Sequence, residues 1–568
     1  MSSRRAMVAV VLAGCALLLV HAAYRLRHPI AVDDAYMVLR YAKQMLAGHG
    51  HAWNPDGRQV FGVTGTLHLL LVTVLAGLLP LGDSSVLALA SLGFTVLALG
   101  ALAFVSVGLV RSPRLREKPW LAVAGMWLFV LPQRLFISQA LNGMDCMSAL
   151  FANTLVAGAA LWLGRSGEPR ALAAAVGAAF LALVARPDDG IYAILTPLLA
   201  VLLGEAPQRG RLLLRLSAGL ALALALYLGI AAAVFGNPLP LPFYAKSFGY
   251  FTEYTAARAW NPFDYLGLIA SAWMPVAIVV LFGITRRSAP ELVALGAPVA
   301  LTFGYYFTVI QIMGMGARYY MPATPFAALA ALIVVDDLLA APDGAAEVLR
   351  ALRRRWPLAL LLAIGVPTAL RDAEAAYAPP FTAQNPGFPG ACYERSAQGR
   401  LPPVNYDRVI SDLSHLLKSL PSGARVALSE HGRIGAAAPQ VSLDDLIALH
   451  DPEFAHRGFD PELELARKPD AIWLPHYFFV PLWHGLAADP RLWDEYEVWP
   501  DALLYGFAIR RDSPYRAQLR AGFAQIFREL YPGEDLEAWR ATRLRSERPE
   551  CRRDSRVPAV AEPQNDGS

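Results

Sequence analysis

Twelve apolar runs fill the first 370 residues, and they constrain this chain more than any other feature. The hydrocarbon core of a bilayer is about 30 Å thick and a helix rises about 1.5 Å per residue, so a crossing takes about 20 predominantly apolar residues. The runs lie near 6–24, 64–81, 85–110, 119–135, 144–164, 170–185, 189–204, 211–235, 263–284, 290–312, 318–337 and 356–370. The expected fold class is therefore a polytopic α-helical membrane protein.

Composition describes two solvents. Of the 96 charged residues, 52 lie after position 370, which leaves 44 for the apolar part. With 55% hydrophobic and 17% charged residues the chain is neither a soluble multidomain enzyme nor a disordered protein. Four cysteines in 568 residues cannot form a disulfide framework. A net charge of +4, with arginines grouped beside apolar runs, excludes a nucleic-acid partner and reads as topology signal.

Positive-inside logic places Arg4 and Arg5, the stretch Arg111 to Lys118, Arg286 with Arg287, and Arg350 to Arg355 in the cytoplasm. The first run is long and lacks a small-residue cleavage site, so it reads as an anchor rather than a signal peptide. Residues 25–63 and the Arg111 loop then fall on opposite sides with two apolar runs between them, so one run does not cross. The stretch 64–81 or a neighbour is re-entrant or merged, giving about eleven crossings with the N-terminus inside and the C-terminus outside. This is the topology of a multi-pass membrane protein with an outward C-terminal domain.

Residues 1–375 form the membrane domain, with a first outward loop at 25–63, and 376–406 read as a proline- and glycine-rich linker. Short β-like runs at 425–429, 471–474 and 504–509 alternate with helix-like stretches at 407–419, 444–449 and 514–530. They predict a small extracytoplasmic α/β domain over 407–544. The charged tail 545–568 has the composition of a disordered segment. Cys15 and Cys146 read as packing residues, whereas Cys392 and Cys551 are either bridged or free on the oxidising side.

The first outward loop carries the chemistry. Asp33 and Asp34 open a helix, where acids cap free N–H groups and suit the helix dipole. Tyr36, Val38, Leu39, Ala42, Met45 and Leu46 form an apolar stripe at helical spacing, which predicts a helix lying on the membrane surface. A carboxylate at that boundary is placed to take a proton from a hydroxyl beside a lipid-linked group. Capping and proton transfer both remain open on these residues alone. Gly48, Gly50, Asn54-Pro55-Asp56-Gly57 and Gly62-Val63-Thr64-Gly65 make a chain of turns leading back to the bilayer.

These residues resemble a known signature. Asp33-Asp34-Ala35-Tyr36, Arg40-Tyr41-Ala42, Gly48-His49-Gly50, Asn54-Pro55 and Gly62-Val63-Thr64 are similar to the first loop of GT-C class integral-membrane glycosyltransferases, in particular the terminal β-(1→2)-arabinofuranosyltransferases and their bacterial relatives. Phe61, Val63 and Gly65 depart from that pattern. The resemblance continues at Ser138 to Asp145, Arg186-Pro187-Asp188-Asp189-Gly190, Gly236 to Pro240 with Phe243 to Ser247, and Arg318-Tyr319-Tyr320-Met321-Pro322.

What the resemblance implies is inverting transfer of a sugar, a pentofuranose in the best-known relatives, from a polyprenyl-phosphate donor to a hydroxyl of a cell-envelope glycan, lipid or protein acceptor. Asp33 would be the general base, with Asp34 orienting it or helping to hold the acceptor or a divalent magnesium or manganese ion. The leaving phosphate needs positive charge, which Lys246, Arg186 and Arg318 could supply. Asp145, Asp188, Asp189, Tyr36, Arg40, Tyr244 and Tyr319 would line the substrate site. Each has a plainer reading: Arg186 and Arg318 as snorkelling helix ends, Lys246 as an interfacial anchor, His68 as a hydrogen-bonded interior residue.

No His/Cys/Glu set shows metal-ligand spacing in the sequence. Glu430 and His431 are adjacent in a strand-like run and so should face opposite sides. The tryptophans at 473, 483, 493 and 499 suit either core packing or sugar stacking. Two other classes compete, a transporter or flippase and a non-catalytic binding protein for polyprenyl-linked glycans. The chain shows no internal repeat of the kind transporters carry.

Overall fold

The computed structural model describes residues 3–27, 32–131, 133–247, 262–309, 317–340, 406–475 and 479–545. The chain divides into two units: 1–42, 63–240 and 260–378 form the first, and 43–62, 241–259 and 379–568 the second. The run at 356–370, the linker, the tail beyond 545, and Cys392 and Cys551 lie outside the described residues.

The first unit is helical. Five of its described helices are long and apolar enough to cross a membrane: Asp83–Leu109, Cys146–Ser166, Arg209–Phe235, Tyr265–Gly283 and Met321–Ala340. Shorter apolar helices run at Met7–Val20, Thr66–Leu78, Pro119–Val130 and Pro169–Ala185, so length and composition alone do not reach eleven crossings. Cys146–Ser166 is the most enclosed of them, and its small residues permit that. A Cβ at Gly164 would stand 2.3 Å from the carbonyl oxygen of Ala200, an approach open only to glycine.

Thr66–Leu78 lies in one of the two runs between residues 25–63 and the Arg111 loop, and its thirteen residues rise only about 20 Å, as the twelve of Pro119–Val130 rise about 18 Å. Leu71 packs on Gly93, and His68 Nε2 lies 2.8 Å from the Gly143 carbonyl, as an interior hydrogen-bonded histidine should. This helix packs beside Asp83–Leu109. At the far end of the unit, Arg111 and Arg165 both bond Glu291, at 2.9 and 2.8 Å, while Asp336 accepts from the backbone N–H groups of Arg111 and Ser112. Arg287 lines the same pocket as Arg111, so the two basic loops share one end, as their charge predicts.

The second unit is an α/β domain. Its five strands are β1 Arg425–Leu428, β2 Ser442–Asp445, β3 Ala471–Trp473, β4 Tyr496–Pro500 and β5 Gly506–Arg510. They are ordered β2-β1-β3-β5-β4, with β2, β1 and β3 parallel and the β5 and β4 edge antiparallel. The helix expected at 444–449 is instead the end of β2 and the turn after it, because Leu443, Leu446 and Ile447 are buried in the sheet layer rather than on a helical stripe. Trp473, Trp483 and Trp499 are core residues, and Trp493 donates to the Ala487 carbonyl. Packing claims these side chains.

Residues 43–62 belong to this unit rather than to the membrane unit. Ala52 and Gln59 pair as an antiparallel bridge, and Gly50, at φ +71, is where the turn requires glycine. Asn54 fastens the loop to β2: its amide donates to the Leu443 carbonyl at 3.1 Å and accepts from the Leu443 N–H at 2.8 Å. The chain of turns therefore leads to the sheet of the second unit.

Candidate active site

Four of the sequence segments singled out above meet in the first unit. Asp34 opens the Asp33–Leu46 helix, Asp145 precedes Cys146–Ser166, Arg186 closes Pro169–Ala185, and Arg318 precedes the turn into Met321–Ala340. Arg318 Nη2 donates to Asp34 Oδ2 at 2.8 Å across 284 positions of sequence. Arg186 Nη2 bonds Asp188 Oδ2 at 2.5 Å, and its Nε lies 4.0 Å from Asp145 Oδ2. The ring of Tyr319 lies beneath both guanidinium groups, 5.4 Å from Arg186 and 5.1 Å from Arg318. Tyr306 donates to Asp188 at 3.1 Å.

Arg186 and Arg318 are 4% and 8% exposed, so neither is a snorkelling helix end. Buried charges persist when paired and hydrogen-bonded, which these are. Burial opposes ionisation of Asp145, but Arg186, then Arg318 and His68, outweigh it and hold its carboxyl below the usual range. Asp189 is fully buried in the turn Pro187–Asp189 beside Asp188.

Asp145 is also fixed from the other side. Thr64 Oγ1 donates to Asp145 Oδ2 at 3.2 Å, and a Cβ on Gly65 would lie 2.5 Å from the Asp145 Cβ. Gly65, one of the departures from the family pattern, is thus what lets the aspartate in. Cys146 is buried with its thiol 3.5 Å from the Arg318 carbonyl, whereas Cys15 is exposed rather than packed.

The Asp33–Leu46 helix is not the surface-lying, one-sided helix its stripe predicts. Residues 35 to 42 are buried on every face, Arg40 completely, and Asp33 is 5% exposed. Tyr36 is buried within the same helix. The stripe is present, but the polar positions between its members are covered as well. Lys246 and Tyr244 belong to the second unit, where the Leu241–Ser247 helix packs on Pro452–Arg457 and the Tyr244 ring lies 4.2 Å from that of His456.

The first-loop acids are a poor fit to a divalent ion. Asp34 is engaged by Arg318, and around neither acid do the described residues bring three carboxylate or imidazole donors together. Such a set exists only in the second unit among the described residues: His431, Asp445 and His450. Sequence spacing missed it because His431 follows β1, whereas Asp445 ends β2 and His450 lies in the turns after it. His431 faces Asp445, while Glu430 turns away to accept from Tyr406 at 2.6 Å. Burial would raise the Asp445 carboxyl, but His431 and its hydrogen bond, with His450, hold it down at about 2.

An apolar cavity of about 230 Å3 lies in the first unit between Tyr265–Gly283 and Phe303, lined by Leu266, Ile269, Trp273, Met274 and Ile278. An aromatic ladder runs from it to the arginines. Trp273 packs on Phe303 at 5.7 Å, Phe303 on Tyr320 at 4.8 Å, Tyr320 on Tyr306 at 5.3 Å, and Tyr306 on Tyr319 at 5.9 Å.

No family model matches the chain, and no curated protein matches it. Among solved structures it is similar to the oligosaccharyltransferase of Archaeoglobus fulgidus, in a complex with zinc and sulfate, at 14% identity and a TM-score of 0.39 over 77% of this chain and 62% of that one. The chain thus spans less than two thirds of that protein's length, and a likeness this distant decides nothing about the site.

Proposed function

We propose that the chain is an inverting membrane glycosyltransferase that uses a polyprenyl-phosphate sugar on the extracytoplasmic face of a bacterial inner membrane. The observation that carries the reading is the meeting of buried Asp145, Arg186 and Arg318 with half-buried Asp34 and Asp188 in one network at the ends of the apolar helices. Charge is costly there and is retained mainly for function. The apolar cavity beside Trp273 supports it further, as a seat for an isoprenoid chain whose phosphate would reach the arginines along the aromatic ladder.

In this mechanism Asp33 takes the proton of the acceptor hydroxyl, whose oxygen attacks the anomeric carbon opposite the phosphate. The carbon–oxygen bond to phosphate breaks, and polyprenyl phosphate leaves as an anion. Arg318, held by Asp34, and Arg186, held by Asp145 and Asp188, orient toward that developing charge. Because both arginines are already compensated by carboxylates, they steer the phosphate without trapping it, which suits product release. Tyr36, Arg40, Asp189 and Tyr319, all of the first unit, are proposed as substrate-lining residues.

A pentofuranose as the transferred sugar, a cell-envelope glycan, glycolipid or protein as acceptor, about eleven crossings and an outward C-terminal domain complete the proposal. The test is transfer of labelled sugar from polyprenyl phosphate in nanodiscs. Asp33→Asn should abolish transfer at unchanged thermal stability; full activity in that variant eliminates the mechanism. Unchanged donor binding with translocation but no transfer would favour the flippase.

A further inference from the structure

We propose that His431, Asp445 and His450 form a site for one divalent transition-metal ion of the zinc class, with an open coordination position toward the adjoining cavity. The inference is independent of the transferase reading. The donor atoms lie within 4.8 Å of one another, and the three residues are 0%, 1% and 4% exposed. His431 follows β1 and Asp445 ends β2, so the set sits at the carboxyl ends of two parallel strands, where open α/β sheets place their ligands.

The surroundings fix the donors as a metal site requires. Asp445 Oδ1 accepts from the Ile447 N–H at 2.9 Å and Oδ2 from the His450 N–H at 2.6 Å, which locks the carboxylate plane. Trp53 stacks on the His450 ring at 3.8 Å and 14°, and meets His431 edge-on at 5.3 Å. His431 Nε2 and Asp445 Oδ1 are 2.8 Å apart. A tetrahedral ion with bonds of about 2.0–2.1 Å spaces its donors by roughly 3.3 Å, so entry requires a displacement of about 0.5 Å.

Two imidazoles with one carboxylate select zinc-like ions over magnesium or calcium, which take six or more oxygens. Three protein donors leave a fourth position, as in sites that also bind a water or a substrate atom. A polar cavity of about 180 Å3 adjoins it, lined by Asp445 and His450 together with Asn54, Arg58 and Asp451. A ligand there would need oxygen or nitrogen donors to reach the ion.

The experiment uses the full chain in detergent, stripped with a chelator and titrated with Co2+ as a spectroscopic probe, then with Zn2+ in competition. The expected result is one equivalent of Co2+ with a ligand-field spectrum of a nitrogen–oxygen site, displaced by Zn2+. His450→Gln and Asp445→Asn should each weaken binding by at least about 100-fold, with circular dichroism as the folding control. Absence of a stoichiometric ligand-field spectrum in the wild-type protein overturns the proposal without need of a variant. Wild-type affinity in folded His450→Gln overturns it too, as does uptake lost in Asp34→Asn but kept in His450→Gln, which would place the ion on the first-loop acids.

Discussion

Gly65→Ala tests the seating of Asp145 with the smallest change available. The new Cβ would stand 2.5 Å from the Asp145 Cβ and 2.9 Å from its Oδ2, against 3.4 Å for an ordinary contact. The aspartate must therefore retreat by about 0.9 Å, since Gly65 has no side chain of its own to yield. That retreat stretches the 3.2 Å bond from Thr64 and changes the 4.0 Å approach of Arg186. A misplacement of about 1 Å at a reacting centre can cost about 10²-fold in rate. Single-turnover transfer from a polyprenyl-phosphate sugar is the assay, with Gly82→Ala as control, because a Cβ at Gly82 meets nothing within 4 Å. Wild-type turnover in well-folded Gly65→Ala would refute any role for Asp145 in positioning substrate or arginine.

Arg318→Gln leaves the half-buried Asp34 without its charged partner and should cost about 1–3 kcal/mol in thermal or denaturant unfolding. The double variant Asp34→Asn/Arg318→Gln should recover most of that stability but not transfer, and recovery of both would remove Arg318 from the mechanism. Asn54→Ala deletes two hydrogen bonds to Leu443 and should weaken the second unit by about 1–3 kcal/mol, read as faster proteolysis or hydrogen exchange within residues 43–62. Burial, then Asp444, pushes the Glu464 carboxyl well above its usual range. The folded chain then holds a proton that the unfolded chain releases, so this group's contribution is complete below about pH 4.3 and declines as pH rises toward the folded value. Glu464→Gln should raise the neutral-pH melting temperature and flatten that slope; a lower melting temperature at pH 7 would show that the charged form is the stabilising one.

The apolar runs and the grouping of arginines were legible in the sequence because both are set by the solvent each segment meets. The expectation of one non-crossing run followed from charge alone, and two described apolar helices in this part of the chain, Thr66–Leu78 and Pro119–Val130, are shorter than a crossing takes. Asp34, Asp145, Arg186 and Arg318 were identifiable one by one, but not their pairing, which depends on how elements 41 positions apart in one case and 284 in the other pack. The apolar stripe of the first loop misled about its setting, since a stripe reports which face is buried most and not whether the others are covered as well. Strand β4 at Tyr496–Pro500 escaped notice because all five of its residues are buried, Glu497 and Pro500 included, so no period-2 alternation marks it. The His431, Asp445 and His450 set has no spacing signature at all, since parallel β-strands bring together residues that the sequence separates by a crossover.

The most direct measurement is a structure of the full chain in nanodiscs with a non-hydrolysable polyprenyl-phosphate sugar. The account predicts phosphate density within hydrogen-bond reach of Arg318 or Arg186, the isoprenoid chain in the cavity beside Trp273, and the anomeric carbon facing Asp33. Phosphate bound at the opposite, Arg111 and Arg165 end of the helices, or an Asp33 carboxylate that no acceptor hydroxyl could approach, would contradict it.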